Sequence, residues 1–407
     1  MGFRKFMPDQ LFDGYRIREK GRVLITDDNG VIQDIVPQRD AGDDIQTLSG
    51  IISPGFINCH CHLELSHMKG LIPQGTGLVQ FVLNVVQQRW TSPQTPLLQR
   101  GATGDSEEWI LSAIEKAENE MLANGIVAVG DICNNILSLS QKTKGRLYYH
   151  NFIEASGFNP QIAKQRFERS VGLFREYAKY YSNPVDPATI GANSIVPHAP
   201  YSVADELWEL IIRFPGNHLM TIHNQETAGE NEWFMNKQGE FTGMYAAMGI
   251  DVSFFKPSGK SSLQTYLPKF LSNQPVILVH NVHTTEEDLL FSKLPVVNCS
   301  LFWCLCPNAN QFISGTMPDI DLLMKHDCDI VLGTDSLASN HQLSILEEIK
   351  TIQQQFPHLE IESMLRWATS NGARALQMDS LLGSFERGKR PGVVMFNKDS
   401  LSVKRLV

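Results

Sequence analysis

The sequence predicts an α/β protein organised as a (β/α)8 (TIM) barrel with a small β unit beside it. Three observations carry that prediction. Eight short apolar segments alternate with amphipathic segments through the middle of the chain, histidines and acids follow five of those segments, and strand-like segments occupy both chain ends. Alternating strands and helices argue for a mostly parallel sheet, and eight strands is the number a closed barrel of this type needs. The chain has 407 residues, enough for one barrel of about 250 residues and an appendage.

Taken in order, Arg22-Val23-Leu24-Ile25 and Val31-Ile32-Gln33-Asp34-Ile35-Val36 are short strands, and Asp27-Asp28-Asn29-Gly30 between them is a hairpin turn signal. Barrel strands are expected at Ile51–Asn58, Ile126–Ile132, Leu147–Glu154, Thr189–Pro197, Leu219–His223, Val276–His280, Val296–Leu301 and Ile330–Thr334. Amphipathic helices are expected at Leu78–Trp90, Glu107–Ala123, Ile162–Tyr180, Glu206–Phe214, Leu343–Gln355 and Ile361–Leu376. Residues 91–106, with Pro93, Pro96, Gly101 and Gly104, form the longest irregular stretch and fit a lid or rim loop. Pro391-Gly392-Val393-Val394-Met395-Phe396 is a final short strand, so the two ends can pair into one β unit. The expected division is 1–52 with 382–407 as that composite unit, and 53–381 as the barrel.

Composition excludes several classes. Hydrophobic residues make up 42% and charged residues 19%, so the chain can bury a large core and is not disordered. A net charge of −9 argues against a nucleic-acid partner, which would require clustered Lys and Arg. No apolar run reaches the roughly 18–20 residues that span a bilayer. Met1–Phe6 is followed by Asp9 and Asp13 without a long apolar segment, so no signal peptide is read there. Seven cysteines, an odd number, with several in apolar surroundings, suit a reducing cytoplasm better than a disulfide framework. Cys59-His60-Cys61-His62 and Cys304-Leu305-Cys306 lack the spacing of a structural zinc cluster. Pro257-Ser258-Gly259-Lys260-Ser261-Ser262 ends like a phosphate loop but has no Gly five residues before Gly259, so that motif fails.

The decisive pattern is where the polar residues fall. His60 with His62, His198, His223 with Glu226, His280, and Asp335 each lie at or just past the C-terminal end of an expected strand. In a barrel those ends converge on the face where active sites form. A lone histidine after a strand is more often structural; five strands delivering such groups together are not explained that way. His60 and His62 are two apart, so their imidazoles point to the same side. With His223 and Asp335 they offer three nitrogens and one oxygen, a set suited to Zn2+ or Fe2+ with a position left for water. Glu226 suits a general acid/base, and His280 and Asp335 are placed to hold or deprotonate the water.

The residues then match a known family. The chain resembles the amidohydrolase superfamily, in its cytosine deaminase, chlorohydrolase and adenosylhomocysteine deaminase branch. The resemblance runs through Pro54-Gly55-Phe56-Ile57-Asn58-Cys59-His60-Cys61-His62, Pro197-His198-Ala199-Pro200-Tyr201-Ser202, Thr221-Ile222-His223-Asn224-Gln225-Glu226-Thr227, Val279-His280-Asn281-Val282-His283, Cys306-Pro307-Asn308-Ala309-Asn310 and Leu332-Gly333-Thr334-Asp335-Ser336-Leu337-Ala338-Ser339-Asn340, and closes at Gly383–Lys389. It implies metal ligation by His60, His62, His223 and Asp335, a proton shuttle at Glu226, a water-orienting His280, a substrate contact at His198, and a small β-sandwich made by the chain ends. Binuclear members use a carboxylated Lys after the fourth strand; Pro197-His198 stands there, so one metal ion is implied, zinc first and ferrous iron second. The segment Val279–His283 and the Pro391-Gly392 pair depart from the family's common residues without removing a ligand or proton carrier.

His62-Leu63-Glu64-Leu65-Ser66 and His150-Asn151-Phe152-Ile153-Glu154 are similar to the aminofutalosine deaminases. That implies an adenine-type nucleoside substrate, with Glu64 facing its ribose or ring edge and Ser336 beside it; the bland reading pairs Glu64 with a neighbouring basic residue. Phe81, Trp90, Phe158, Trp233, Trp303 and Phe312 are candidates for an aromatic wall, although aromatic residues are more often core. The expectation is a cytoplasmic, metal-dependent aminohydrolase, homodimeric by family habit, that takes a small molecule and no nucleic acid or membrane. Chlorohydrolase, cyclic amide hydrolase and guanine or pterin deaminase are the alternatives.

Overall fold

In the computed structural model of the chain, residues 2–89, 103–181, 192–397 and 402–407 are described. The strands in chain order are β1 (Phe3–Leu11), β2 (Arg22–Asp27), β3 (Ile32–Pro37), β4 (Ile45–Pro54), β5 (Phe56–Cys61), β6 (Ile126–Cys133), β7 (Tyr148–Ala155) and β8 (Asn193–Pro197). They continue with β9 (Met220–Asn224), β10 (Pro275–His280), β11 (Ser300–Leu305), β12 (Ile330–Leu332), β13 (Val393–Phe396) and β14 (Val403–Arg405).

One sheet runs β14-β13-β4-β1-β2-β3 and so draws on both chain ends. The β2–β3 hairpin turns where Asp27 Oδ1 accepts the amides of Asn29 and Val31, an Asx turn that the Asp-Asp-Asn-Gly signal specifies. β13 pairs antiparallel with β4, Phe396 opposite Ile51.

The segment expected as one strand at Ile51–Asn58 is two strands in two sheets, broken at Gly55. The reason is contact. A Cβ on Gly55 would lie 2.3 Å from Val127 Cγ1 and 2.8 Å from Pro391 O, and its N–H donates to Pro391 O. Only glycine lets the chain pass between the terminal sheet and the start of β6.

β5-β6-β7-β8 and β9-β10-β11-β12 are two four-stranded, all-parallel sheets, and together they make the barrel. Both seams are tied at the C-terminal strand ends. At one, the amides of Thr334 and Asp335 donate to His60 O at 3.1 and 3.0 Å; at the other, His223 N donates to His198 O at 3.0 Å. β5 and β6 are buried along their whole length, which is why they read as continuous apolar runs instead of alternating ones.

Some boundaries moved. The seventh barrel strand, expected at Val296–Leu301, lies at Ser300–Leu305, because Val297 N closes a turn onto Leu294 O and the buried run is Phe302-Trp303-Cys304-Leu305. Of the irregular stretch at 91–106, residues 91–102 fall outside the described residues, and Thr103 already begins the helix Thr103–Ala123. The strand expected from Thr189 is seen from Asn193, and 189–191 are likewise outside. The helix expected over 361–376 is interrupted by a π-helical turn at Trp367–Asn371. No helix among the described residues is long and apolar enough to cross a membrane.

Candidate metal centre and active site

His60 and His62 leave β5 with Nε2 atoms 3.2 Å apart. Asp335 Oδ1 is 3.5 Å from the first and 3.4 Å from the second. The His223 ring packs against both, at 4.9 and 5.5 Å between centroids. All four side chains are buried. The ligand atoms of His60, His62 and His223 all lie within 4.8 Å of one another, and three nitrogens with one carboxylate oxygen make a donor set that fits one divalent ion. His223 donates Nδ1–H to the carbonyl of His198 at 2.7 Å, which fixes its tautomer and leaves the Nε2 lone pair as the one a metal ion would take.

Protonation states agree. Burial lowers His62 to about 4, and burial with the surrounding imidazoles holds His223 well below its ordinary value, so both are in the neutral, metal-binding form. Burial opposes the charged form of Asp335, but its hydrogen bond with His60, first among the lowering contacts from the surrounding histidines, holds the carboxyl below its ordinary range. Ser339 Oγ donates to the other Asp335 oxygen. Asn58 clamps the strand beside it, donating to Thr334 Oγ1 at 2.7 Å and accepting the Thr334 amide at 3.0 Å. Asp335, His280 and Gln225 all have left-handed backbones, with φ of 55°, 76° and 46°. Non-glycine residues held in that region cluster at functional sites.

Glu226 and His280 stand next to this group, Oε2 to Nε2 3.6 Å. Burial pushes the Glu226 carboxyl up to about 7, helped by the Asp335 charge and opposed by His280. The turn carrying Glu226 is fastened through Gln225. Its amide donates to Glu230 Oε1 at 3.1 Å, its side chain donates to Asp288 at 2.8 Å and Asn231 at 3.1 Å, and it accepts from Thr284 at 2.7 Å.

A cavity of about 460 Å³ opens over these groups. His198 lines it, with Nδ1 2.8 Å from Ser202 Oγ, and so does Ser336. Its polar side adds Glu64, Arg89, Asn134 and Glu154. Glu64 Oε2 accepts the Asn134 amide at 2.9 Å and Oε1 faces Arg89 at 3.7 Å, so the bland ion-pair reading of Glu64 is present together with its place in the cavity. Burial raises its carboxyl to about 7. Glu154 and Asn134 were not singled out from the sequence. Asn134 Nδ2 donates to one Glu154 oxygen at 2.9 Å, while the other has no hydrogen bond and lies 3.8 Å from His223 Nδ1. The position of Glu154 at the end of β7 was the available signal. Of the aromatic candidates, Phe81 and Phe158 line the cavity, Trp233 and Phe312 pack behind it, Trp303 is barrel core, and Trp90 is outside the described residues.

Below the mouth, Lys142 is fully buried with Nζ 2.5 Å from Asp131 Oδ2 and 2.8 Å from Asn151 Oδ1. Asp131 Oδ1 in turn accepts the Leu63 amide at 2.8 Å, fixing the chain between His62 and Glu64. Removing one member strands the other charge. Lys142→Met is therefore expected to lose about 3–5 kcal/mol of stability, read as a lowered midpoint in chemical denaturation.

With this geometry in view, the family comparison is decisive: the Amidohydrolase family matches residues 51–406. The chain belongs to the amidohydrolase family. Among its relatives in sequence, an adenosine deaminase of Helicobacter pylori is 27% identical over 356 residues, covering 86% of this chain and 79% of that protein. Among solved structures, the Helicobacter pylori aminofutalosine deaminase in complex with methylthio-coformycin superposes with a TM-score of 0.76 at 22% identity, over 98% of this chain and 93% of that one. The atrazine chlorohydrolase of Arthrobacter aurescens complexed with zinc gives 0.71 at 17% identity, over 97% and 87%. The amidohydrolase family is metal-dependent, in keeping with the donor cluster of this chain.

Proposed function

We propose that this amidohydrolase is a hydrolytic deaminase of an adenine-type nucleoside, with one zinc ion held by His60, His62, His223 and Asp335. The observation that carries the reading is the pair Glu226 and His280 beside the four-donor group at the base of the cavity. A purely structural metal site has no use for a buried carboxyl poised near neutrality. The names of the sequence relative and of the deaminase neighbour support the substrate class.

When bound, the metal lowers the pKa of its water toward neutrality. His280 and Asp335 orient that water against the ring carbon. Glu226 takes one proton from the water and passes it to the ring nitrogen; it then moves the second proton, left on the added hydroxyl, to the departing amine, so that ammonia leaves as the carbonyl forms. His198, Glu64 and Ser336 hold the sugar and ring edges. A cytoplasmic homodimer belongs to the same reading, and light scattering checks the dimer.

The test is ammonia release by zinc-loaded protein over adenine nucleosides, guanine and pterins, with chloride release measured for a chlorinated triazine. Turnover is expected on an adenine nucleoside; silence on all of those, or turnover on the triazine alone, overturns the proposal. The pH profile follows from Glu226. It must begin as a carboxylate, and burial has raised it to about 7. Below that value the protonated fraction grows, so kcat/KM is expected to fall about tenfold per pH unit on the acid side and to level off above it.

A further inference from the structure

Asn310 lies in the first turn of the helix Pro307–Ser314 and takes no part in the chemistry above. It is buried, and its Oδ1 is 2.8 Å from Nδ1 of His280. Its Nδ2 is also buried and has no hydrogen-bond partner. An unsatisfied buried amide costs about 1–3 kcal/mol and calls for a reason. Oδ1 is thus the amide atom turned to the His280 ring, and Nδ2 faces away from it.

We propose that Asn310 is a positioning residue that sets the tautomer of His280. This rests on the deaminase reading for its catalytic meaning. A carbonyl oxygen only accepts, so its contact requires the proton of neutral His280 to sit on Nδ1. Nε2 then carries a lone pair and points toward Glu226 and the base of the cavity, where it accepts the hydrogen bond of the attacking water. The reversed amide would donate to Nδ1 and place the proton on Nε2, and the ring could no longer accept there.

The neighbourhood keeps the amide in place. Two residues earlier, Asn308 gives its backbone N–H and its Nδ2 to the two oxygens of Glu348 at 2.9 and 3.0 Å, and Thr351 donates to its Oδ1. Glu348 also accepts from Asn340, just past Asp335, at 2.9 Å. The helix start that carries Asn310 is thus pinned to the same strand end that carries Asp335. On the other side, His280 has a left-handed backbone, and Asn281 after it is bonded to Leu278 O and Cys304 O at 2.9 and 3.1 Å, so the ring cannot swing away.

The experiment labels the histidines of the zinc-loaded protein with 15N and assigns the His280 ring by difference from His280→Asn. The expected result is a protonated Nδ1 and an unprotonated Nε2. Asn310→Leu, similar in size and unable to accept, is expected to lower kcat about 100-fold, with zinc content unchanged and KM within about threefold of wild type. Asn310→Asp keeps the acceptor and is expected to retain kcat to within about tenfold. A wild-type ring protonated on Nε2 overturns the inference, as does full turnover in Asn310→Leu or an Asp variant as impaired as the Leu variant at full zinc. If Asn310→Leu does not fold, the wild-type tautomer and the Asp variant decide. If wild-type protein deaminates nothing, the deaminase reading fails, while the ring spectrum still answers the tautomer question.

Discussion

Glu226→Gln is expected to lower kcat by roughly a thousandfold or more on the best nucleoside while zinc content stays at one per chain. The amide matches the carboxyl in shape but cannot shuttle a proton. Glu226 is not among the donors that face one another across the site; its Oε2 lies 3.6 Å from His280 Nε2. Metal retention should therefore be unaffected, and the split between the two readouts is the informative result. Loss of zinc together with turnover would place Glu226 among the ligands and remove it as shuttle. Retained turnover would leave the proposed chemistry without its proton carrier.

The second large effect is removal of a ligand. His223→Ala is expected to lose bound zinc and drop to background turnover, measured by elemental analysis and ammonia release. His60→Ala is the matched variant. Because the ion binds the folded chain and not the unfolded one, ligand loss also lowers stability by about 4 kcal/mol where free zinc exceeds its dissociation constant about 1,000-fold. Addition of zinc should raise the unfolding temperature of the wild type and leave that of His223→Ala unchanged. A stable, zinc-replete His223→Ala protein would refute the ligand assignment.

Much of this is legible in the sequence. The eight barrel strands are buried on both faces and so appear as apolar runs, and the polar residues terminating them are conspicuous for that reason. Less legible were elements with weak or absent periodicity. The helix Ala228–Asn236 is short and buries only Gly229, Glu230, Trp233 and Phe234, so its sequence shows little of a helical stripe. β1 was missed because Met7-Pro8-Asp9-Gln10 breaks its pattern, although Phe6 and Leu11 are in the core of the terminal sheet. The π turn at Trp367–Asn371 has no sequence signature.

Within the site, ligand-type residues were visible from chemistry and spacing. Groups acting through a partner were not. Glu154 reads as the last polar residue of a strand until Asn134 is seen to bind one of its oxygens and leave the other bare. Asp131 and Lys142 lie 11 positions apart in the numbering, and nothing in either segment announces that they meet. Such pairs depend on tertiary placement, which a single sequence does not encode in any local pattern.

The two seams of the barrel carry one more implication. His60 and His62 come from the first half of the strand cylinder, and His223 and Asp335 from the second. An ion gripped by all four therefore rivets the halves together at the very edges where they join. On the proposed ligand set, closing the ring and completing the coordination sphere would be one event, and a chain whose halves have not docked would lack both.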